Sequence, residues 1–263
     1  MENHTRPLAV ITGASSGIGL EFAKLCGAEG YDLLLIAEDQ GVHTAAEALG
    51  GAASGVQAVQ ADLSTYAGNE DAAAAIAARP VDILALNAGF GNAGPFLETS
   101  LERDLALIQL NISSVVHLAK RALPAMAAAG AGRVLMTASI AGTMPGPYYA
   151  TYAASKAFVI SFAEALRFEL KDSGVTVTAL LPGPTDTAFF DRAGMQDTPV
   201  YDGKMDDPAD VARDAYQALI GGDDKVVAGS VKNTLQAVAA KVLPDPVKAR
   251  LHAGMTKPED VAD

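Results

Sequence analysis

Seven short apolar runs recur along the chain, and stretches with helical spacing separate them. The predicted strands are 7–12 (PLAVIT), 32–37 (DLLLIA), 56–60 (VQAVQ), 81–86 (VDILAL), 132–138 (GRVLMTA), 175–181 (VTVTALL) and 225–228 (KVVA). Most are continuous rather than alternating, the pattern of strands covered on both faces. Helices are predicted at 17–29, 42–50, 68–78, 100–128, 149–172, 207–220 and 230–242. Such alternation implies an α/β fold: a doubly wound, Rossmann-type sheet of about seven parallel strands, joined by right-handed crossovers.

No linker, charge block or low-complexity tract divides the 263 residues, which predicts one domain. Residues 188–206 read as a lid over the substrate, and 230–263 as a helical tail. In that tail Leu235, Val238, Ala239 and Val242 fall on one stripe. Packing on the chain's own domain is the simplest use of it, with a membrane or a partner subunit as alternatives.

Half of the residues are apolar and tryptophan is absent, so the core must be built from Ala, Val, Leu and Ile. A net charge of −12 without any Lys/Arg cluster argues against nucleic acid and anionic membrane surfaces as partners. The single cysteine, Cys26, excludes an intramolecular disulfide and reads as a buried, inert thiol. His4, His43, His117 and His252 show no ligand spacing, so no metal is expected. No signal peptide or bilayer-length apolar run is visible, and the expected location is the cytoplasm.

In open α/β sheets ligands bind beyond the carboxyl ends of the strands. The first strand runs into TGASSGIG, residues 12–19. Gly13, Gly17 and Gly19 allow a tight turn and the approach of a pyrophosphate. The helix starting near Gly17 and Ile18 offers free N–H groups, and Ser15 and Ser16 add hydroxyls. The spacing is neither Gly-x-Gly-x-x-Gly nor a Walker loop. After the third strand, Asp62 beside Leu63 is placed either to accept from an adenine amino group or to cap the next loop. Asn87, Ala88 and Gly89 form a small-residue turn that lets backbone lie against a ribose. The second strand ends in Glu38 and Asp39; Glu38 follows Gly19 by 19 residues, about where a carboxylate meets an adenosine ribose. Asp39 reads as a solvent marker.

The stretch ASIAGTMPGPYYATYAASK, residues 138–156, carries the chemistry. Ser139 stands at a strand end, and Tyr152 and Lys156 share one helix face. A phenol titrates near ~10 and needs its anion stabilised before it can exchange protons near neutrality. A lysine one turn away supplies that charge. Tyr148 and Tyr149 lack a lysine at the same spacing and read as pocket wall.

Together these motifs resemble the short-chain dehydrogenase/reductase family, in its shorter single-domain branch, over residues 7–230. The matching pieces are TGASSGIG, Asp62, NAG at 87–89, Asn111, Ser139, Tyr152-x-x-x-Lys156 and PGPTDT from Pro182 to Thr187. The resemblance implies an NAD(P)(H)-dependent oxidoreductase that interconverts a ketone and a secondary alcohol. Tyr152 would be the general acid/base, Ser139 would hold the substrate oxygen, and Lys156 would bind the nicotinamide ribose. Asn111 would hold a proton-relaying water. Pro182, Gly183, Thr185 and Thr187 would close over the nicotinamide. Leu86 stands where relatives often carry a second asparagine, a lost hydrogen bond within the sheet. NADP-preferring relatives commonly carry arginine at the place of Glu38 or a basic residue at that of Ser16, which predicts NAD(H) over NADP(H) here. NAD-specific relatives usually carry Asp at the place of Ala37, a departure. Family members are commonly homodimers or homotetramers through helices at about 100–128 and 149–172. Phe189, Phe190, Met195 and Tyr201 in the lid favour a largely apolar substrate, with the alternative that Phe189 and Phe190 pack a short helix onto the core. The competing reading is a catalytically idle dinucleotide-binding protein with a regulatory or scaffolding role.

Overall fold

The computed structural model describes residues 6–230, 233 and 243–258. Its strands are β1 (Leu8–Thr12), β2 (Asp32–Ala37), β3 (Val56–Gln60), β4 (Ile83–Leu86), β5 (Gly132–Thr137), β6 (Val175–Pro182) and β7 (Lys225–Ala228). They pair in the order β3-β2-β1-β4-β5-β6-β7, parallel throughout. The helices are α1 (Gly17–Ala28), α2 (Gly41–Ala48), α3 (Tyr66–Ile76), α4 (Leu101–Ile108), α5 (Ser114–Ala129), α6 (Ala150–Glu169), α7 (Phe189–Ala193), α8 (Pro208–Gly221) and α9 (Asp245–Thr256).

The continuous apolar runs have a direct cause. Successive side chains of one strand point to opposite faces, and each face is covered. Val10, Leu34 and Leu84 pack with Val115, Leu118 and Val159 from α5 and α6. Ile11, Leu35 and Ile83 pack with Phe22, Val42 and Val211 from α1, α2 and α8. Cys26 lies in that second core, where burial pushes its thiol up to about 12 and leaves it unreactive.

The structure adds to two expectations, and a third falls outside the described residues. The helix predicted over 100–128 is interrupted by a π turn at Gln109–Ser113, with buried Asn111 at its centre. Such a turn inserts one residue without changing the apolar pattern, so periodicity does not reveal it. The lid segment contains α7, and Phe190, Ala193, Met195 and Thr198 are buried, so it forms packed wall. The predicted helix 230–242, with Leu235, Val238, Ala239 and Val242, lies outside the described residues, Asn233 excepted. Beyond it, α9 folds back onto the chain.

β1 sits between β2 and β4, so the connections leave it in opposite directions and a crevice opens beyond its carboxyl end. No helix among the described residues is long and apolar enough to cross a membrane.

Candidate active site

A cleft of about 570 Å³ occupies that crevice. Its floor is two touching turns. Gly13 (φ +67°) and Gly17 (φ +57°) hold left-handed conformations that glycine adopts freely. A Cβ on Gly13 would lie 2.9 Å from Ala88 Cα, so the first turn rests directly on the second. Thr12 joins them: its Oγ1 accepts from the N–H groups of Asn87 (2.9 Å) and Ala88 (3.0 Å). Asn87 Nδ2 donates to the carbonyl of Thr12 at 3.1 Å, and its Oδ1 accepts from Thr137 Oγ1 at 3.1 Å. Asn87 thereby ties β1, β4 and β5 together.

Ser16 stands at the N-cap of α1, yet its side chain caps nothing and no acidic residue occupies the first turn. Free N–H groups and the positive end of the helix dipole therefore face the cleft, a fit for a phosphate. Ser15 Oγ donates to Asp39 Oδ2 at 2.8 Å, and Asp39 Oδ1 accepts from Gly41 N at 2.8 Å. Asp39 is thus not a solvent marker. It fixes the glycine turn and the start of α2, while exposed Glu38 beside it lines the cleft.

The reacting end lies between β5, α6 and the segment after β6. Tyr152 and Lys156 are both buried, with Lys156 Nζ 5.7 Å from the Tyr152 ring centre. Lys156 Nζ donates to the carbonyl of Thr137 at 2.8 Å, pinning α6 to the end of β5. Ser139 Oγ accepts from Ala141 N at 3.1 Å and donates to the carbonyl of Pro182 at 3.4 Å. Burial pushes the Tyr152 phenol up to about 12, with the Ser139 hydroxyl drawing it part of the way back. Burial also brings the Lys156 ammonium down to about 8. Desolvation thus raises the phenol, against the expected lowering, and the group that lowers it is the Ser139 hydroxyl rather than the lysine. Both groups are packed away from water, and Nζ is committed to a main-chain carbonyl.

Most of the expected residues meet here. Gly13, Ser15, Ser16, Gly17, Ile18, Glu38 and Leu63 line one end. Asn87, Ala88, Gly89, Ser139, Tyr152, Lys156, Pro182, Gly183, Thr185 and Thr187 line the rest. Gly19, Asp62 and Asn111 do not line the cleft: Asn111 is buried behind its wall, and Asp62 is exposed beside it. A Cβ on Gly19 would fall 2.3 Å from the carbonyl oxygen of Gly13, so this glycine permits helix and turn to approach. Asp62 Oδ1 accepts from both N (2.9 Å) and Oγ (2.7 Å) of Ser64, the loop-capping alternative. The Asn111 side chain is engaged by Phe90, accepting from its N–H at 3.1 Å and donating to its carbonyl at 3.0 Å.

Sequence reasoning passed over Ser155. Asn111 Nδ2 donates to its Oγ at 3.1 Å, and that Oγ donates to the Tyr152 carbonyl at 2.7 Å. Its position on the helix between Tyr152 and Lys156 was the available signal. Tyr149 stands in the wall as expected, stacked on Tyr152 with ring centres 5.2 Å apart. Tyr148 does not. Its φ of +62° turns it away from its neighbour's direction, and its carbonyl accepts from Gly94 N at 2.7 Å.

The glycine turn, the uncapped start of α1 and the small-residue turn beside Lys156 together fit a nicotinamide dinucleotide. Comparisons with known proteins agree. A family model for short chain dehydrogenases matches residues 7–197. Oxidoreductase UcpA from Salmonella typhimurium is 33% identical over 218 residues, 82% of this chain and 81% of the relative. A short-chain dehydrogenase from Sphingobium yanoikuyae, solved with NADPH, matches with TM-score 0.80 and 29% identity over 98% of this chain and 99% of that one. The 3-ketoacyl-(acyl-carrier-protein) reductase from Brucella melitensis, solved with NADH, matches with TM-score 0.74 and 27% identity over 84% and 96% of the two chains. The chain therefore belongs to the short-chain dehydrogenase/reductase family of nicotinamide-dinucleotide-dependent oxidoreductases.

Proposed function

We propose that this protein interconverts a ketone and a secondary alcohol, with Tyr152 as the proton donor in reduction and the acceptor in oxidation. The observation that carries the reading is the grouping of buried Tyr152 and Lys156 with half-buried Ser139 at one end of the cleft. The dinucleotide, when bound, supplies the hydride chemistry. Gly13 to Gly19 would hold its pyrophosphate, Glu38 and Leu63 its adenosine end, and Asn87 to Gly89 with Lys156 its nicotinamide ribose. Pro182, Gly183, Thr185 and Thr187 would cover the nicotinamide.

A phenol that keeps its proton to about 12 suits the acid role in reduction. Ser139 Oγ–H is placed to donate to a substrate oxygen and to stabilise charge developing there. Lys156 holds positive charge next to the phenol. Asn111 and Ser155 position the helix turn that carries Tyr152. The substrate side of the cleft, with Phe189, Phe190, Tyr149 and Val200, favours a mainly apolar body.

NAD(H) is the preferred cofactor on this reading, because Glu38 meets the adenosine end and no basic side chain among the described residues lines that end. The solved relatives carry NADPH in one case and NADH in another, which supports a nicotinamide dinucleotide without choosing between them. Exposed Leu101 and Leu105 on α4 and Phe168 on α6 support a homodimer or homotetramer through this face.

The test is Tyr152→Phe. Ketone reduction is expected to fall by about a hundredfold to ten-thousandfold, with dinucleotide affinity by calorimetry unchanged. Full-rate reduction in that variant overturns the assignment.

A further inference from the structure

One wall of the cleft owes nothing to the tyrosine machinery. Helix α9 lays His252, Met255 and Thr256 along it. Three hydrogen bonds hold the helix there. His252 Nδ1 lies 2.9 Å from the carbonyl oxygen of Pro145, Thr256 Oγ1 donates to the carbonyl of Pro147 at 2.8 Å, and Val200 N donates to that of Met255 at 3.1 Å. The His252 ring meets Tyr149 edge-on with ring centres 5.6 Å apart, and Tyr149 stacks on Tyr152. His252 therefore stands two ring contacts from the proton-transferring hydroxyl.

A carbonyl oxygen can only accept, so Nδ1 carries the proton and donates. In the neutral ring Nε2 is then a bare acceptor. Burial lowers the pKa of this imidazole from its ordinary value, opposed by the Pro145 hydrogen bond, so the ring is neutral near pH 7. His252 is only 3% exposed, and its Nε2 has no hydrogen-bond partner among the described residues. His252 lines the cleft, so an acceptor there with no protein partner is open to a donor on a ligand. Around it Phe189, Phe190 and Met255 offer apolar contact, and Tyr149 presents its ring.

We propose that His252 selects the substrate: its Nε2 accepts a hydrogen bond from a hydroxyl or N–H that the ketone carries away from its carbonyl. The preferred substrates are then apolar ketones bearing one such donor. This rests on the ketone–alcohol reading above. His252→Asn keeps an N–H for the Pro145 carbonyl and removes Nε2, which separates selection from support of the helix.

The probes are 4-phenyl-2-butanone and its ortho-, meta- and para-hydroxyl derivatives. Binding is measured by calorimetry to the full chain saturated with oxidised dinucleotide, and turnover is measured in parallel. At least one hydroxylated isomer is expected to bind about fivefold tighter than the parent, and His252→Asn to erase that preference, so that the four ketones bind the variant with affinities within about twofold of one another. The ¹⁵N resonance of His252 Nε2 in the unaltered protein is expected to move with that isomer and to stay in place with the parent. Equal affinities across the four ketones, a still resonance, or a preference that survives His252→Asn overturns the proposal. Selective binding without reduction of any of the four sinks the ketone–alcohol reading and leaves the His252 site standing.

Discussion

Lys156 and Tyr152 are buried together, with the ammonium nitrogen 5.7 Å from the ring centre and both groups held at the end of β5. Burial drives their pKa values apart, the phenol up to about 12 and the ammonium down to about 8. Folding therefore places a charge where charge is poorly solvated, and that has a measurable signature.

Lys156 titrates near 10.5 in the unfolded chain and near 8 in the fold. Below about pH 8 the fold holds a buried ammonium that the unfolded chain keeps in water, so the destabilisation is complete. Between these values the unfolded chain binds the extra proton, and stability rises with pH. Tyr152 opposes this only above about 10, where the unfolded phenol ionises first. Urea denaturation is expected to show the native protein gaining about 2 kcal/mol from pH 8 to pH 10 relative to Lys156→Met. A difference between the two proteins that is flat with pH would show that Lys156 is not desolvated.

Gly19 and Gly30 offer a matched pair of alanine substitutions. A Cβ on Gly19 meets the carbonyl oxygen of Gly13 at 2.3 Å and Asn87 Nδ2 at 2.5 Å, and the backbone atom cannot swing aside. Gly19→Ala is expected to cost about 1–3 kcal/mol of stability and to weaken dinucleotide binding by about tenfold or more, as α1 is pushed off the turn. Gly30 has φ +89° and open space around it. Gly30→Ala is expected to cost only about 1 kcal/mol in backbone strain, with dinucleotide binding intact. Thermal unfolding and a dinucleotide titration on both variants decide the matter; equal binding losses would place the cause in general destabilisation.

Features whose cause is local were legible in the chain itself. Val10 and Ile11 serve opposite faces of β1, so the strand reads as an unbroken apolar run. Tyr152 and Lys156 share a face because they are one helical turn apart. Features that arise only when distant segments meet were not legible. Ser155 matters because Asn111, 44 residues away, donates to it. His252 matters because Pro145, 107 residues away, fixes its tautomer. Asp39 was misread because a carboxylate at a strand end looks solvated until Ser15 folds over it.

Ser155 connects Asn111 to the turn bearing Tyr152, and both its hydroxyl bonds are buried. Ser155→Ala leaves one N–H of Asn111 without an acceptor, a loss of about 1–3 kcal/mol. The helix turn under Tyr152 also loses a strut, and kcat is expected to fall by about tenfold with dinucleotide affinity preserved. Steady-state kinetics beside a dinucleotide titration separate the two. A loss confined to thermal stability, with kcat intact, would make Ser155 a packing residue only.

Glu38 and Asp39 are adjacent carboxylates with different surroundings, and they predict opposite outcomes. Glu38 is exposed and lines the cleft, and among the described residues it accepts a hydrogen bond only at its main-chain carbonyl, from Gln60 Nε2 at 2.9 Å. Its side chain is free to meet a ribose hydroxyl or to repel a 2′-phosphate. Glu38→Arg replaces that repulsion with a cationic donor, and the kcat/KM ratio of NADPH to NADH is expected to rise by at least about tenfold. Asp39 spends its oxygens on Ser15 and Gly41, so it shapes the phosphate turn that both cofactors use. Asp39→Ala is expected to weaken NADH and NADPH about equally and leave their ratio within about twofold. If Asp39→Ala shifts the ratio and Glu38→Arg does not, the discriminating carboxylate is Asp39, and the preference for NAD(H) argued from Glu38 loses its basis.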